Sequence, residues 1–442
     1  MYSINTFFES NATMITYLLL LIVLFYFFIG IGKKFLFIEF LCIIPVLQWL
    51  WGFTIAIQTG FLTESTVSMA YFYLLSGTLF YIIGLCFPYG FGKINTRFSD
   101  SQILNFVSLK LKGDYKKTQT QFLIGITSLI LTDFAPISLK FIFQLLGSYF
   151  FIATIKFIIS DYKGKWVFIS MSLLFIIEMT LLQGMLGTIV FWAASSFLLL
   201  NIRVKINALK IIPILSLCFY LMLILYSAKT EYRAETWHIR TNAMGREGKR
   251  EIRSSPERLG QLIIERINNP SLIFKQSSLV NMVQRVNQAF QVILVMKRVP
   301  DTEPFADGEM TIYRPFISLV PRIIWPDKPL IPDPADYKRF TGIGLTKYNS
   351  VTIGPIGEAY ADFGKLGVIY LFFYGLLIRI FYKYFRLQSE QNPYMIIWFL
   401  IIMSGAISHT ETTISGAING YLKFFGFALI FTKVDFYRHT TK

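Results

Sequence analysis

Two clusters in the chain combine residue types and spacings that could do chemistry. The first is Ser318–Pro334, SLVPRIIWPDKPLIPDP, where Arg322 and Lys328 flank Trp325 among Pro321, Pro326, Pro329, Pro332 and Pro334. Proline fixes φ and removes a backbone donor, so this stretch is neither a helix interior nor a central strand. Arg314, Lys338 and Arg339 lie close by, and Arg285 precedes them. An arginine fork matches phosphate oxygens, and lysine serves as a point charge. The cluster therefore reads either as a pyrophosphate site on a stiff scaffold or as a solvated basic loop near anionic lipid. The second cluster is Thr352–Gly364, TIGPIGEAYADFG. On a helix, Glu358 and Asp362 share one face. Such a carboxylate could take a proton from a sugar hydroxyl or bind the hydroxyl; equally, the pair could simply counter nearby Arg and Lys. His409 precedes Thr410 and Glu411, and reads as a proton carrier, a phosphate donor or a structural helix end.

These clusters need elements to position them. The 442 residues are 54% hydrophobic and 15% charged, against about 25% charged in soluble domains; mean hydropathy is +0.53. This is the composition of a lipid-embedded chain. The net charge of +16 fits Lys and Arg gathered in cytoplasmic loops better than it fits nucleic-acid binding. Cys42, Cys86 and Cys218 fall in apolar runs, so neither a disulfide framework nor a metal site is expected. No Walker A, HExxH or dinucleotide fingerprint occurs, which argues against a nucleotide-driven pump and a zinc hydrolase; no cofactor is expected.

A bilayer span takes roughly 20 apolar residues. Candidate spans run over 13–32, 35–58, 68–90, 120–134, 138–160, 166–183, 186–201, 211–228, 366–384, 394–410 and 414–432. The expected fold is all-α: a polytopic membrane protein of about eleven spans, with one large periplasmic loop between spans eight and nine. With the N-terminus periplasmic and the C-terminus cytoplasmic, Lys33, Lys34, the basic residues of 92–118, Lys163, Lys165, Arg203, Lys205, Lys210, Lys383 and Arg386 all fall on one side. The expected units are a bundle over 1–228, a loop domain over 229–365 and a C-terminal membrane segment over 366–442. Ser255-Pro256-Glu257 reads as a helix start, and a second loop helix is expected across 276–298. Glu178 and Lys423, inside spans, should face a partner or an aqueous cavity, and could pair with each other. Lys156, Arg379 and Glu39 read as snorkelling toward the inner face.

The order VQRVNQAF, VPDTEPFADGEM, SLVPRIIWPDKP, TIGPIGEAYADFGKLG resembles the Wzy-type bacterial polysaccharide polymerases, also called O-antigen or oligosaccharide repeat unit polymerases. Pro321, Arg322, Trp325, Pro326, Lys328 and Pro329 match one element of that family; Gly357, Glu358, Tyr360, Phe363 and Gly364 match the next. Asp362 stands where the family usually has Asn, which leaves its role as a required base in doubt. The resemblance covers about 285–380 and implies a glycosyltransferase of the bacterial inner membrane. Its donor and acceptor would be undecaprenyl-pyrophosphate-linked repeat units, with a flippase and a chain-length regulator as pathway partners. It also implies that Arg285, Arg314, Arg322 and Lys328 hold the pyrophosphate, that Glu358 orients the acceptor or serves as base, and that Trp325, Tyr360, Asp362 and His409 line the sugar path. An O-antigen ligase, sharing the donor, and a lipid-linked glycan transporter are the alternatives.

Overall fold

The computed structural model describes residues 2–58, 66–87, 96–132, 134–183, 187–203, parts of 213–232, 237–241, 247–252, 256–274, 287–320, 325, 327, 333–345, 351–407 and 410–437. The described chain is helical apart from one antiparallel hairpin, Trp237–Thr241 with Glu247–Ile252. Five segments are long and apolar enough to cross a membrane: Asn11–Gly30, Phe37–Ile55, Val67–Cys86, Leu139–Ile159 and Gly354–Gln388. Other helices cover most of the remaining expected spans, including Tyr115–Thr132, Lys165–Gln183, Gly187–Leu200, Met395–Ile407 and Ile414–Tyr437. The expected span at 211–228 lies partly outside the described residues.

Two features of the membrane helices shape the site. The second crossing is interrupted: Pro45 sits inside it, and the next turn, Val46–Trp51, is π-helical. Proline removes an intrahelical bond, and a π turn re-aims the side chains it carries. The Gly354–Gln388 crossing is continuous through a single tight turn at Gly364–Leu366, with Gly364 at φ +55°. The span starts earlier than expected from sequence, so Glu358 and Asp362 ride on its first helix, Gly354–Phe363.

Glycines set the closest approaches. A methyl group on Gly84 would strike the carbonyl oxygen of Phe372, and one on Gly375 would strike that of Tyr81. Helices Thr66–Cys86 and Gly367–Gln388 therefore pack backbone to backbone, as small residues allow in membranes. Gly84→Leu should separate them and cost at least about 1–3 kcal/mol. Thermal unfolding of the purified protein in micelles reads this; an unchanged midpoint would refute the packing.

The loops expected on one side of the membrane meet at one end of the bundle. Asp100 accepts from the Phe35 N–H at 2.8 Å and from Arg386 Nε at 2.6 Å. Asn201 accepts from the Gly32 N–H at 2.9 Å, and Lys110 Nζ donates to Asn392 Oδ1 at 3.1 Å. The snorkelling expected of Lys156, Arg379 and Glu39 is corrected: all three are enclosed. Lys156 Nζ donates to Gln121 Oε1 at 2.8 Å and lies 4.0 Å from the Tyr394 ring centroid. Glu39 is paired with Lys34 at 2.5 Å. Inward partners hold Lys156 and Glu39 more firmly than a distant interface could. Glu178 is exposed, while Lys423 lies over the Phe141 ring.

At the other end sit the described residues of 289–320 and 333–345. The helix Ala289–Met296 packs against both Thr66–Cys86 and Gly354–Phe363. Buried Val295, Met296, Val299, Tyr337 and Phe340 join the same apolar cluster as Tyr71, Leu74 and Leu371 of the membrane helices. This part of the loop region shares the bundle's core. Helix Pro256–Asn268 starts where sequence placed it, with Glu257 in its first turn. Its Leu259 and Leu262 pack on Ala228 and Tyr232 in a small separate cluster. The helix expected across 276–298 is seen over Ala289–Met296; residues 275–286 lie outside the described residues.

Candidate functional site

The helix Gly354–Phe363 begins where a proline occupies its first turn and Gly354 adopts φ +69°. Thr352 Oγ1 accepts from the Gly354 N–H at 3.1 Å and donates to the Glu411 carbonyl at 2.6 Å. One turn apart on this helix, Glu358 and Asp362 are both 1% exposed. Each carboxylate closes the start of a different helix. Glu358 Oε2 accepts from the Ile414 N–H at 2.7 Å, at the head of Ile414–Tyr437. Asp362 accepts from the N–H groups of Met310, at 3.1 Å, and Thr311, at 2.7 Å. These two open the helical stretch Glu309–Leu319. The first N–H groups of a helix lack intrahelical partners, and an anion there is favoured by the helix dipole. An asparagine at 362 would offer one acceptor oxygen in place of two. The acid at this position thus has a clear anchoring task.

Arg314, expected to contact pyrophosphate, has its fork committed within the protein. It is 8% exposed and meets both oxygens of Asp336, one at 2.9 Å from Nη2. Nη2 also donates to Glu309 Oε1 at 2.5 Å. Arg339 continues the network, donating to Glu309 Oε2 at 2.7 Å and Glu303 Oε1 at 2.6 Å. The cage ties Asp333–Thr341 to Glu309–Leu319, and Asp362 ties the latter to the membrane span. Burial by itself would raise the Glu309 carboxyl, but hydrogen bonds from Arg339 and Arg314 outweigh it and hold it below the ordinary 4.5. A lowered carboxyl stabilises the fold fully above its unfolded value and loses that contribution as pH falls through the folded value. The unfolding midpoint should fall as pH drops below about 4.5, and fall less in Glu309→Gln. Equal acid sensitivity in the two proteins would contradict this origin.

The π turn contributes a residue that sequence reading missed. Gln48 Nε2 donates to Glu411 Oε1 at 2.5 Å, and Thr410 Oγ1 donates to Gln48 Oε1. The Gln48 carbonyl accepts from the Gln288 N–H at 3.1 Å. The signal was there: an amide inside an apolar run just after Pro45. This knot places the 410–413 turn beside the Glu358 helix.

Tyr360, expected on the sugar path, is 5% exposed and packs edge-on against Tyr73 at 5.1 Å, with Phe305 at 6.4 Å. Trp325 is half-buried and Lys338 exposed. Arg285, Arg322, Lys328 and His409 lie outside the described residues. Two hollows flank Glu309–Leu319. One, of 430 Å³, is lined by Phe305, Asp307, Asp362, Phe363, Tyr370 and Phe373. Aromatic faces with carboxylates suit a sugar ring, because the rings offer flat apolar contact and the acids accept from hydroxyls. The other, of 330 Å³, is lined by Ile312, Pro315, Phe316, Leu377, Phe381 and Ile418 among others, and suits a hydrocarbon chain.

This architecture defines a helical protein with membrane-crossing segments, built around a carboxylate-anchored platform at one end of the bundle. Within that class, the chain belongs to the family described as Domain of unknown function (DUF8712), whose model matches residues 102–384. No curated protein and no solved structure matches it.

Proposed function

We propose that the protein is a membrane glycosyltransferase. It would polymerise repeat units carried on undecaprenyl pyrophosphate at the periplasmic face of the bacterial inner membrane. The observation that carries this reading is the ordered set Arg285, Pro321-Arg322, Trp325-Pro326-Asp327-Lys328-Pro329 and Gly357-Glu358-Ala359-Tyr360. The platform supports it: the segment leading into the cation-rich stretch is pinned to the acid-bearing helix through Asp362.

In the reaction, an acceptor sugar hydroxyl attacks the anomeric carbon of the growing chain. The bond from that carbon to the lipid diphosphate breaks, the diphosphate keeps the electron pair, and the hydroxyl proton passes to a base. Negative charge grows on the departing diphosphate, where fixed cations stabilise it most. Arg322, Lys328 and Arg285 take that role; Arg314 positions the segment through its cage. Glu358 orients the acceptor or accepts its proton. The 430 Å³ hollow suits the acceptor sugar and the apolar groove the polyprenyl chain.

Glu358→Gln separates base from anchor, because its amide oxygen can still accept from the Ile414 N–H. If Glu358 is the base, polymer formation falls about 10²–10⁴-fold while the unfolding midpoint is kept; unchanged polymer would leave Glu358 an anchor alone. The reading as a whole is tested in a strain lacking the chain, by the length of its surface glycan. Single repeat units on the final lipid support a polymerase. Full-length polymer left on the carrier lipid would mark a ligase, and repeat units trapped on the inner face would mark a transporter.

A further inference from the structure

The helical stretch Glu309–Leu319 turns Met310, Thr311, Arg314 and Ile317 inward. Its outward face is Ile312, Tyr313, Phe316 and Leu319, which are 48%, 60%, 67% and 40% exposed. A helix that covers a soluble core turns polar and charged residues outward; this outward face is apolar apart from one phenol. Arg314, the one cation in the stretch, points the other way, to Asp336. Two contacts fix where the stretch lies. Tyr370, in the first turn of helix Gly367–Gln388, donates from its hydroxyl to the Thr311 carbonyl at 2.8 Å. Farther along, Ser318 Oγ lies 3.5 Å from the Ser415 carbonyl, at the head of helix Ile414–Tyr437. The stretch thus bridges the heads of two bundle helices, and one of them belongs to the Gly354–Gln388 crossing. The 330 Å³ groove joins the stretch to both: Ile312, Phe316 and Leu319 line one side, and Leu377, Phe381 and Leu422 the other. Leu377 lies about 15 Å along its helix from Gly367, which is half of a hydrocarbon core roughly 30 Å thick. The apolar face of the stretch is therefore continuous with the side of a membrane crossing.

We propose that Glu309–Leu319 is an interfacial segment whose outward face, Ile312, Tyr313, Phe316 and Leu319, is seated in the acyl chains of membrane phospholipid, in the leaflet on the platform's side. Amphipathic segments of this kind lie in the plane of the interface, with the apolar face about 5–10 Å into the headgroup and acyl boundary. The Tyr313 ring suits that depth, since a phenol keeps its oxygen at the headgroups. The charges at the near end are paired, Glu309 with Arg314 and Arg339, so seating the stretch strands none of them. A length of chain that reads as periplasmic loop from sequence thereby never leaves the membrane. It is held from two sides: Asp362 binds its first N–H groups, and lipid covers its face. The inference rests on the crossing and the groove, and is independent of any glycan chemistry.

The test reconstitutes the wild-type full chain in phosphatidylcholine liposomes that carry a phosphatidylcholine with a diazirine in one acyl chain. After irradiation, peptide mapping by mass spectrometry should find lipid adducts on Ile312–Leu319 as well as on Gly367–Gln388, and none on the Asp333–Thr341 helix. A second measurement compares Phe316→Cys with Ala335→Cys, a change at an exposed position of that helix, each in plain liposomes. A lipid-soluble maleimide should label both positions. A charged maleimide should label position 316 at least about tenfold more slowly than position 335, because charge enters hydrocarbon at a cost. Mapping separates these labels from those on the native cysteines, and size-exclusion chromatography monitors folding of each variant. Adducts confined to the crossings, or equal rates of the charged reagent at the two positions, would overturn the proposal by showing a face in water. Labelling of position 316 by neither reagent would also overturn it, by showing that protein covers the face.

Discussion

Replacing Arg314 by alanine is expected to cost about 3–5 kcal/mol, the penalty for removing one member of a buried ion pair. Arg314 is almost wholly enclosed, and its loss leaves Asp336, with its side chain 12% exposed, without its bidentate partner. Glu309 keeps Arg339 at 2.7 Å, so the damage should concentrate on the Asp333–Thr341 helix. Arg314→Lys keeps the charge but not the fork, and should recover part of the loss. Removing both charges, in Arg314→Met with Asp336→Leu, should be much milder than Arg314→Ala alone, because no buried charge is then stranded. Thermal unfolding in micelles, with proteolysis of the 333–345 segment as a local reporter, checks the series. An Arg314→Ala protein as stable as wild type would show that the cage is not holding the segment.

Arg322→Ala should abolish polymer while the protein remains in the membrane at its normal level. Its proposed partner is the departing diphosphate. Loss of one preorganised donor at developing charge lowers turnover by about 10²–10³-fold, which would leave single repeat units in place of long chains. Arg322→Lys should retain more activity than alanine, since a point charge keeps part of the attraction. Gel separation of surface glycan, beside an immunoblot for the protein, reads both quantities. Normal chain length in Arg322→Ala would remove the main cation from the proposed mechanism.

The two variants separate positions that sequence could not tell apart. Arg314 and Arg322 stand eight residues apart in one basic stretch, and both read as phosphate ligands. Asp336 lies 22 residues from Arg314 along the chain, and no local pattern links them. The membrane helices were far more legible, because an apolar run of about 20 residues has few alternatives. The start of the Gly354–Gln388 crossing was not: residues up to 365 read as loop, and a span beginning at Gly354 has to carry Glu358 and Asp362. Tertiary caps from the Ile414, Met310 and Thr311 N–H groups resolve that conflict. The i to i+4 spacing of the two acids was visible in sequence; that each plugs a different helix was not. Lys156 and Arg379 read as snorkelling because hydropathy registers only the depth of a charge. Gln121, the Tyr394 ring and the Tyr382 ring, which lie beside them, are invisible to it.

The most direct measurement reconstitutes the purified chain in liposomes with undecaprenyl-pyrophosphate-linked repeat units and no nucleotide sugar. Chain growth should appear together with one free undecaprenyl pyrophosphate for each new glycosidic bond. A folded, monodisperse protein that yields neither longer glycan nor released carrier lipid would contradict the account.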